Sequence, residues 1–463
     1  MKPASLRNAI KGEVLEKSDP AYESTLAGLL WNQLRSARRP DLIVRVRDEH
    51  DVVKAMNFAD HNNLRVVARG GGHSWSGLAV RDGGMLIDLQ NLNQVTVDSG
   101  SMRASIQPFV SNREIITHLE PYGLAFPTGH CPTVKVSGYL LSGGIGWNAG
   151  FWSHACHSVE AIDIVTAQGE LVRADNNKHA ELFWAARGGG AGFPGIAVRY
   201  HVRVYPLPKA ISGSSYYFPL EHIQELGNWA WDVADKLPSW VEFSLFMLSA
   251  PAELRSRCTS MNGKLCRITA TAFADDSREA ANALALLEDS PLRKHCLASE
   301  LNQPSSFSAL FDGSGAMWPE KMRSRVETLW SNSPPGEMLL AARDYFISSP
   351  SASTLILVAI YPEWASGVPT TTNTAFSMCA KVYGGLWTMW QNSTDDFINS
   401  QWHDKMMSVF KPFTIGHYLG ETDIVDDPNR ATASFTIPNW ERLQRIRSKF
   451  DPKRLFQGFD GGL

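Results

Sequence analysis

The side chains best placed to do chemistry sit in glycine-rich stretches. RVVARGGGHSWSGLAV, Arg65 to Val80, sets His73 directly behind Gly70, Gly71 and Gly72, after a β-branched run that reads as a buried strand. Consecutive glycines admit positive φ and let bare N–H groups approach a bulky anion such as a pyrophosphate. A plain tight turn with a solvent-facing imidazole is the competing reading. A second block, FPTGHCPTVKVSGYLLSGGIGWNAG, carries Cys131 among Gly129, Gly138, Gly143, Gly144 and Gly146, with Ser137 and Ser142. It lacks the G-x-G-x-x-G context of a nicotinamide-type dinucleotide site. A third block, ELFWAARGGGAGFPGIAVRYHV, again runs glycines into a strand. HACH, His154 to His157, is too tightly spaced for a zinc site and no second pair follows, so no metal is expected.

The elements that must position these blocks alternate. LIVRV, the helix DEHDVVKAMNFADHNN, LRVVARGGG, GGMLIDLQ and the hairpin-like QVTVDSGSMRASIQ lead to an amphipathic helix over Ser111 to Tyr122, stopped by Gly123. AIDIVTAQGELVRAD reads as strand, turn and strand with Gly169 at the turn. From about residue 211 the pattern changes to alternating strands (SSYYFPL, WVEFSLFML, KLCRITATAF, STLILVAIYP, KVYGGLWTMWQ) with helices such as DDSREAANALALLED, suited to an antiparallel sheet covered by helices. The expected fold is α+β, with one domain over 1–210, a second over 211–405 and a closing segment over 406–463.

Bulk properties narrow the partners. With 44 basic and 47 acidic side chains in 463 residues the formal charge is -3, which offers no footprint for nucleic acid or an anionic membrane. No apolar run is long enough to span a bilayer, and the N-terminus has no signal-like apolar core. Six sparse cysteines fit a reduced, cytoplasmic protein. A small-molecule substrate is the expected partner.

RGGGH (Arg69 to His73), GHCPTVxVSG (Gly129 to Gly138), SGGIG (Ser142 to Gly146), ELFWAARGGG (Glu181 to Gly190) and the closing W-E-R-L…FDP…LF resemble the FAD-linked oxidase superfamily of vanillyl-alcohol oxidase and p-cresol methylhydroxylase, in its berberine-bridge-enzyme-like branch. The resemblance covers nearly the whole chain and implies a two-part FAD-binding domain of two small α/β subdomains over 1–210, to which 406–463 returns. It implies FAD bound covalently twice, through a ring nitrogen of His73 to the 8α-methyl carbon and through the sulfur of Cys131 to C6. An imidazole or thiolate held against the electrophilic end of the ring can add to it. The resemblance also implies cofactor contacts at Arg69, Gly70, Gly71, Gly72 and Ser74; at Gly129, His130, Val136, Ser137 and Gly138; at Ser142, Gly143, Gly144 and Gly146; and at Val159, Gly195, Ile196 and Asn439. This chain has Lys135 and Ser137 where the branch has glycines, and His157-Ser158 where it has Asp-Asn.

The implied reaction passes a substrate C–H hydrogen as hydride to flavin N5 while a base takes a neighbouring proton, with dioxygen as acceptor and hydrogen peroxide as product. GHYLGETD, Gly416 to Asp423, supplies the candidates for the base. Tyr418 serves if a cation or hydrogen bond lowers its phenol, and Glu421 is the second candidate. The two would share a face on a helix and oppose each other on a strand. Tyr383, Trp387 and Trp390 offer an apolar platform for an alcohol, sugar, phenolic or secondary metabolite, unless alternate members face the core. A flavin-binding carrier or sensor without turnover is the alternative from another class.

Overall fold

The computed structural model describes residues 3–369 and 373–459. Three principal sheets organise it. The first runs Glu13–Glu16, Leu42–Arg45, Met85–Asp88, Val66–Arg69, parallel except at the Glu13–Glu16 edge. The helix Glu49–Asn62 covers it, burying Val52, Ala55, Met56 and Ala59 at helical spacing. Asp48 caps that helix by accepting from Asp51 N, and Asn63 ends it in the left-handed region. The second sheet is antiparallel, in the order Val95–Asp98, Arg103–Ile106, Ile196–Arg203, Val159–Val165, Leu171–Ala174. Beside it the helix Asn112–Leu119 opens on a complete capping box between Ser111 and Glu114. The two sheets are the pair of small subdomains expected.

The third sheet has seven antiparallel strands, ordered Ala298–Ser305, Ala210–Pro219, Lys264–Ala274, Val241–Ser249, Leu355–Ile360, Val382–Trp390, Arg323–Ser331. One face packs on the helices Ile223–Ala234, Ser277–Ala285, Pro335–Ile347 and Asp396–Phe410 around Phe243, Leu245, Ile268 and Val358. Alternation turns Glu242, Ser244, Phe246, Arg267, Thr269 and Thr271 to the other face. Two strands were not legible beforehand. Ala298–Ser305 is a polar edge strand carrying Pro304, without apolar alternation. Arg323–Ser331 buries Glu327 against Arg430 at 2.7 Å, so its charges mask a core strand.

The C-terminal segment closes on the first two sheets. Ile437–Phe450 inserts Leu443 and Ile446 beside Trp184 and Phe193. Beyond it Val66 N donates to Leu455 O at 2.7 Å and Gln457 N to Val66 O at 2.9 Å, extending the first sheet beside the strand that leads to His73.

Candidate active site

The strand Val66–Arg69 delivers the glycine loop. Arg69 is buried beneath it, paired with Asp88 at 3.1 Å and donating Nε to Leu29 O at 3.0 Å, so it anchors the loop from behind. Gly72 needs its missing Cβ: its φ is +68°, and a Cβ would lie 1.9 Å from Leu29 O. His73 emerges with its ring stacked on Trp31 at 5.2 Å and Nε2 3.1 Å from Thr133 Oγ1. The Gly129–Thr133 loop brings Cys131 to the same hydroxyl, Sγ to Oγ1 being 3.6 Å, while Asn112 Nδ2 holds Cys131 O at 2.9 Å. Two nucleophiles 58 positions apart in the chain thus meet at Thr133.

Trp31, His73, Asn112 and Cys131 line one cavity of about 560 Å³ together with Gly70, Gly71, Gly72, Ser74, Gly129, His130, Ser137, Gly138, Ser142, Gly195, Tyr418 and Glu421. Eight residues that the sequence had assigned to the cofactor lie outside that lining. Arg69 is the anchor just described. Val136, Val159 and Ile196 are buried in apolar cores. Gly143, Gly144 and Gly146 pack from behind against Phe376, Ala155 and Tyr139. Asn439 donates Nδ2 to Thr374 O at 3.0 Å and Ala375 O at 3.3 Å, tying the last helix to a loop.

At the sheet side, Tyr418 and Glu421 occupy neither a helix nor a strand. Glu421 N donates to Tyr418 O at 3.1 Å, and this turn lets both side chains line the cavity. The Tyr383 hydroxyl donates to Glu421 Oε2. Tyr383 and Trp387, four apart on one strand, line the cavity; Trp390 falls on the opposite face and donates Nε1 to Asp396 at 2.7 Å. The platform is therefore Tyr383 and Trp387, joined by Tyr361, Leu357 and Trp318, with Trp390 excluded.

Comparison with known proteins bears on this cavity directly. Residues 40–175 match the model of an FAD binding domain. The FAD-linked oxidoreductase janO of Penicillium janthinellum is 25% identical over 96% of each chain. The (R)-6-hydroxynicotine oxidase of Paenarthrobacter nicotinovorans is 32% identical over about half of each, 50% of this chain and 49% of that one. Among solved structures, berberine bridge enzyme from Eschscholzia californica superposes with a TM-score of 0.82 at 18% identity, covering 98% of both chains. The 6-hydroxy-D-nicotine oxidase of Arthrobacter nicotinovorans does so at 0.81 and 19%, covering 97% of this chain and 98% of that one. The chain is an FAD-linked oxidoreductase of the berberine-bridge-enzyme-like fold.

The oxidoreductase's cavity suits that cofactor. Among the described residues, none accepts a hydrogen bond from the backbone N–H of Gly70, Gly71, Gly72, His73 or Ser74. Five successive free donors on a cavity wall form a cradle for a diphosphate. A Cβ on Gly138 would project into open space, so the wall there is bare backbone left clear for a bulky group.

Electrostatics differentiates the side chains. Burial, with Lys135 and Arg69 nearby, lowers His73 to about 3, keeping its ring neutral. Burial raises the Cys131 thiol, against the pull of Thr133, so it is not a ready thiolate. The expected lowering of Tyr418 is reversed: burial and then the Glu421 carboxylate push its phenol up, and its oxygen accepts from Gly144 N at 3.1 Å. Burial also raises Glu421, while the Tyr383 bond and His130 partly oppose this. His130, although burial works against its charge, is raised by Glu242, whose carboxylate lies 2.6 Å from Nε2. Trp31, Thr133, Glu242 and Tyr361 escaped sequence reading. Thr133 alone had a signal, its place inside GHCPTV.

Proposed function

We propose that the oxidoreductase carries FAD attached through both His73 and Cys131 and acts as an oxidase on a small alcohol, sugar, phenolic or secondary metabolite. The observation that carries this is the convergence of His73 and Cys131 on Thr133 in the wall of the cavity that also holds Glu421. Bound there, FAD would take the substrate's hydride at N5 and pass the electrons to dioxygen, giving hydrogen peroxide.

The chain's own residues do the rest. Neutral His73 presents a ring nitrogen with a free lone pair, and Thr133 holds it in line. Cys131 must lose its proton before its sulfur can bond, because burial favours the thiol. Glu421 takes the proton from the substrate O–H, N–H or C–H: its raised pKa brings a carboxylate's basicity closer to neutral, and Tyr383 orients it. Tyr418, a high-pKa phenol pinned by Gly144, positions substrate rather than accepting its proton. Trp387, Tyr361, Leu357 and Trp318 exclude water around the reacting bond.

In this reading residues 1–210 and 406–463 form the flavin domain and 211–405 the substrate domain, with Tyr418 and Glu421 of the closing segment turned to the substrate. The oxidase step is supported by the kinship with an enzyme named as an oxidase. Six cysteines without a disulfide among the described residues agree with the cytoplasm, and among the described residues no helix is long and apolar enough to cross a membrane. The test is anaerobic mixing with a panel of alcohols, sugars, phenolics and amines. A competent donor bleaches the flavin, and admitted air restores its colour with one hydrogen peroxide per turnover. Recolouring only by a quinone would overturn the oxidase assignment.

A further inference from the structure

The cavity extends well beyond the reach of Glu421. Along the sheet it runs over Leu357 and Phe246 to Arg267, Thr269 and Ser215. The register fixes this path: Arg267 lies opposite Phe246, Phe246 opposite Leu357, and Leu357 opposite Gly385, which sits between Tyr383 and Trp387. Arg267 is therefore three strands from the Tyr383 strand, about 14 Å at the backbone.

Arg267 lies over the Tyr217 ring, 5.7 Å from its centroid, but has few polar partners where it stands. Nη2 donates to Ser215 Oγ at 3.1 Å. Nε is buried with no partner, and among the described residues Nη1 has no protein acceptor. No carboxylate among the described residues lies within 4.0 Å of its guanidinium, whereas His130 is paired with Glu242 and Lys135 with Glu114. A partly buried guanidinium without a counter-charge is costly unless something else supplies one. On the facing helix, Phe307–Met317, Ser314 Oγ is also buried, without a partner, and lines the same cavity.

We propose that Arg267 is a carboxylate subsite, and that the substrate is an elongated molecule with an apolar body over Phe246 and Leu357, its oxidised end at Glu421 and a carboxylate at Arg267. The inference rests on the cavity being the substrate site of the oxidase. A single guanidinium offsets one negative charge, which suits a carboxylate better than a doubly charged phosphate. The planar fork receives two oxygens side by side.

The test is calorimetric titration of the holoenzyme with 6-phenylhexanoate, 6-phenylhexan-1-ol and 6-phenylhexylamine. The carboxylate is expected to bind at least about tenfold more tightly than the alcohol, and the amine most weakly. Arg267→Gln should make carboxylate and alcohol equal while changing the alcohol's affinity less than about threefold; Arg267→Lys should keep part of the preference. Equal binding of carboxylate and alcohol by the unmodified protein overturns the proposal, with no variant needed. So does a preference that survives in Arg267→Gln. Calorimetry does not depend on flavin colour, so failure of every donor to bleach the flavin would sink the oxidase reading and leave this result standing.

Discussion

Gly70–Ser74 and Gly129–Ser142 bring Gly70, Gly71, Gly72, Gly129 and Gly138 to the cavity wall, whereas the seven-stranded sheet and the Tyr418–Glu421 turn bring larger side chains. The first wall achieves close approach by omission: a Cβ at Gly71 would lie 2.6 Å from Lys135 Cγ, and one at Gly70 1.8 Å from Ser137 Oγ. The second achieves selectivity by projection, with Trp387, Leu357, Phe246, Arg267 and Glu421 standing into the space from four strands and a turn. A cofactor common to many enzymes can be held by groups that every residue possesses. A particular substrate cannot, and its wall must be written in side chains.

Changes on the two walls should therefore separate cofactor loading from turnover. The largest effect is expected at Glu421. Glu421→Gln keeps the Tyr383 bond's geometry but removes the base, so flavin loading should stay intact while flavin reduction by a good donor slows roughly 10²–10⁴-fold in stopped-flow measurements. Tyr418→Phe, on the same turn, should slow it less than about tenfold, because its phenol is held too high to accept a proton. The reverse order of effects would return Tyr418 to the role of base.

Gly72→Ala probes the backbone wall and should do the opposite. A left-handed φ alone costs about 1–2 kcal/mol for a residue with a Cβ, and the contact with Leu29 O adds to it. Poor flavin incorporation and a lower melting temperature are expected, with near-normal reduction of whatever flavin is bound. Normal loading would mean that the loop has more room than its geometry indicates.

A smaller effect concerns acid. Behind the backbone wall, where Cys156 N donates to Gly143 O at 2.9 Å, burial and Arg187 lower His157 to about 4. A depressed folded pKa means that the unfolded chain binds the proton first as pH falls below about 6.5, so stability is lost between there and about 4. The loss at pH 5 is up to about 2 kcal/mol. Burial shifts Glu421 and Asp423 upward, so their ionisation is a cost that acid relieves. Acidification from pH 7 to 5 should thus weaken the layer behind the flavin wall. Melting curves should show it, and His157→Gln should lessen the dependence, the buried His154 and His403, also shifted down, keeping the remainder.

The same contrast explains what the sequence disclosed. The backbone wall is contiguous: RGGGH and GHCPTV each contain their loop and its nucleophile, so motif and geometry coincide. Even there, spacing could not tell that Gly143, Gly144 and Gly146 face Tyr139 and Phe376 rather than the cavity. The sheet wall joins Arg267, Phe246, Leu357 and Tyr383 through strand register, which no local pattern encodes. Tyr383 and Trp387 were visible as a run of aromatics, but which of them turned inward depended on the neighbouring strands. The direction of the Tyr418 shift was not legible either, because burial and the Glu421 carboxylate, not the residue's type, raise its phenol.

The central claim, a flavin tethered twice at Thr133, is tested most directly by intact mass under denaturing conditions. The unmodified protein should be heavier than its sequence by one FAD, His73→Ala and Cys131→Ala should each retain that mass, and the double variant should lose it. A denatured, unmodified chain of bare sequence mass, with its flavin released into solution, would contradict the account.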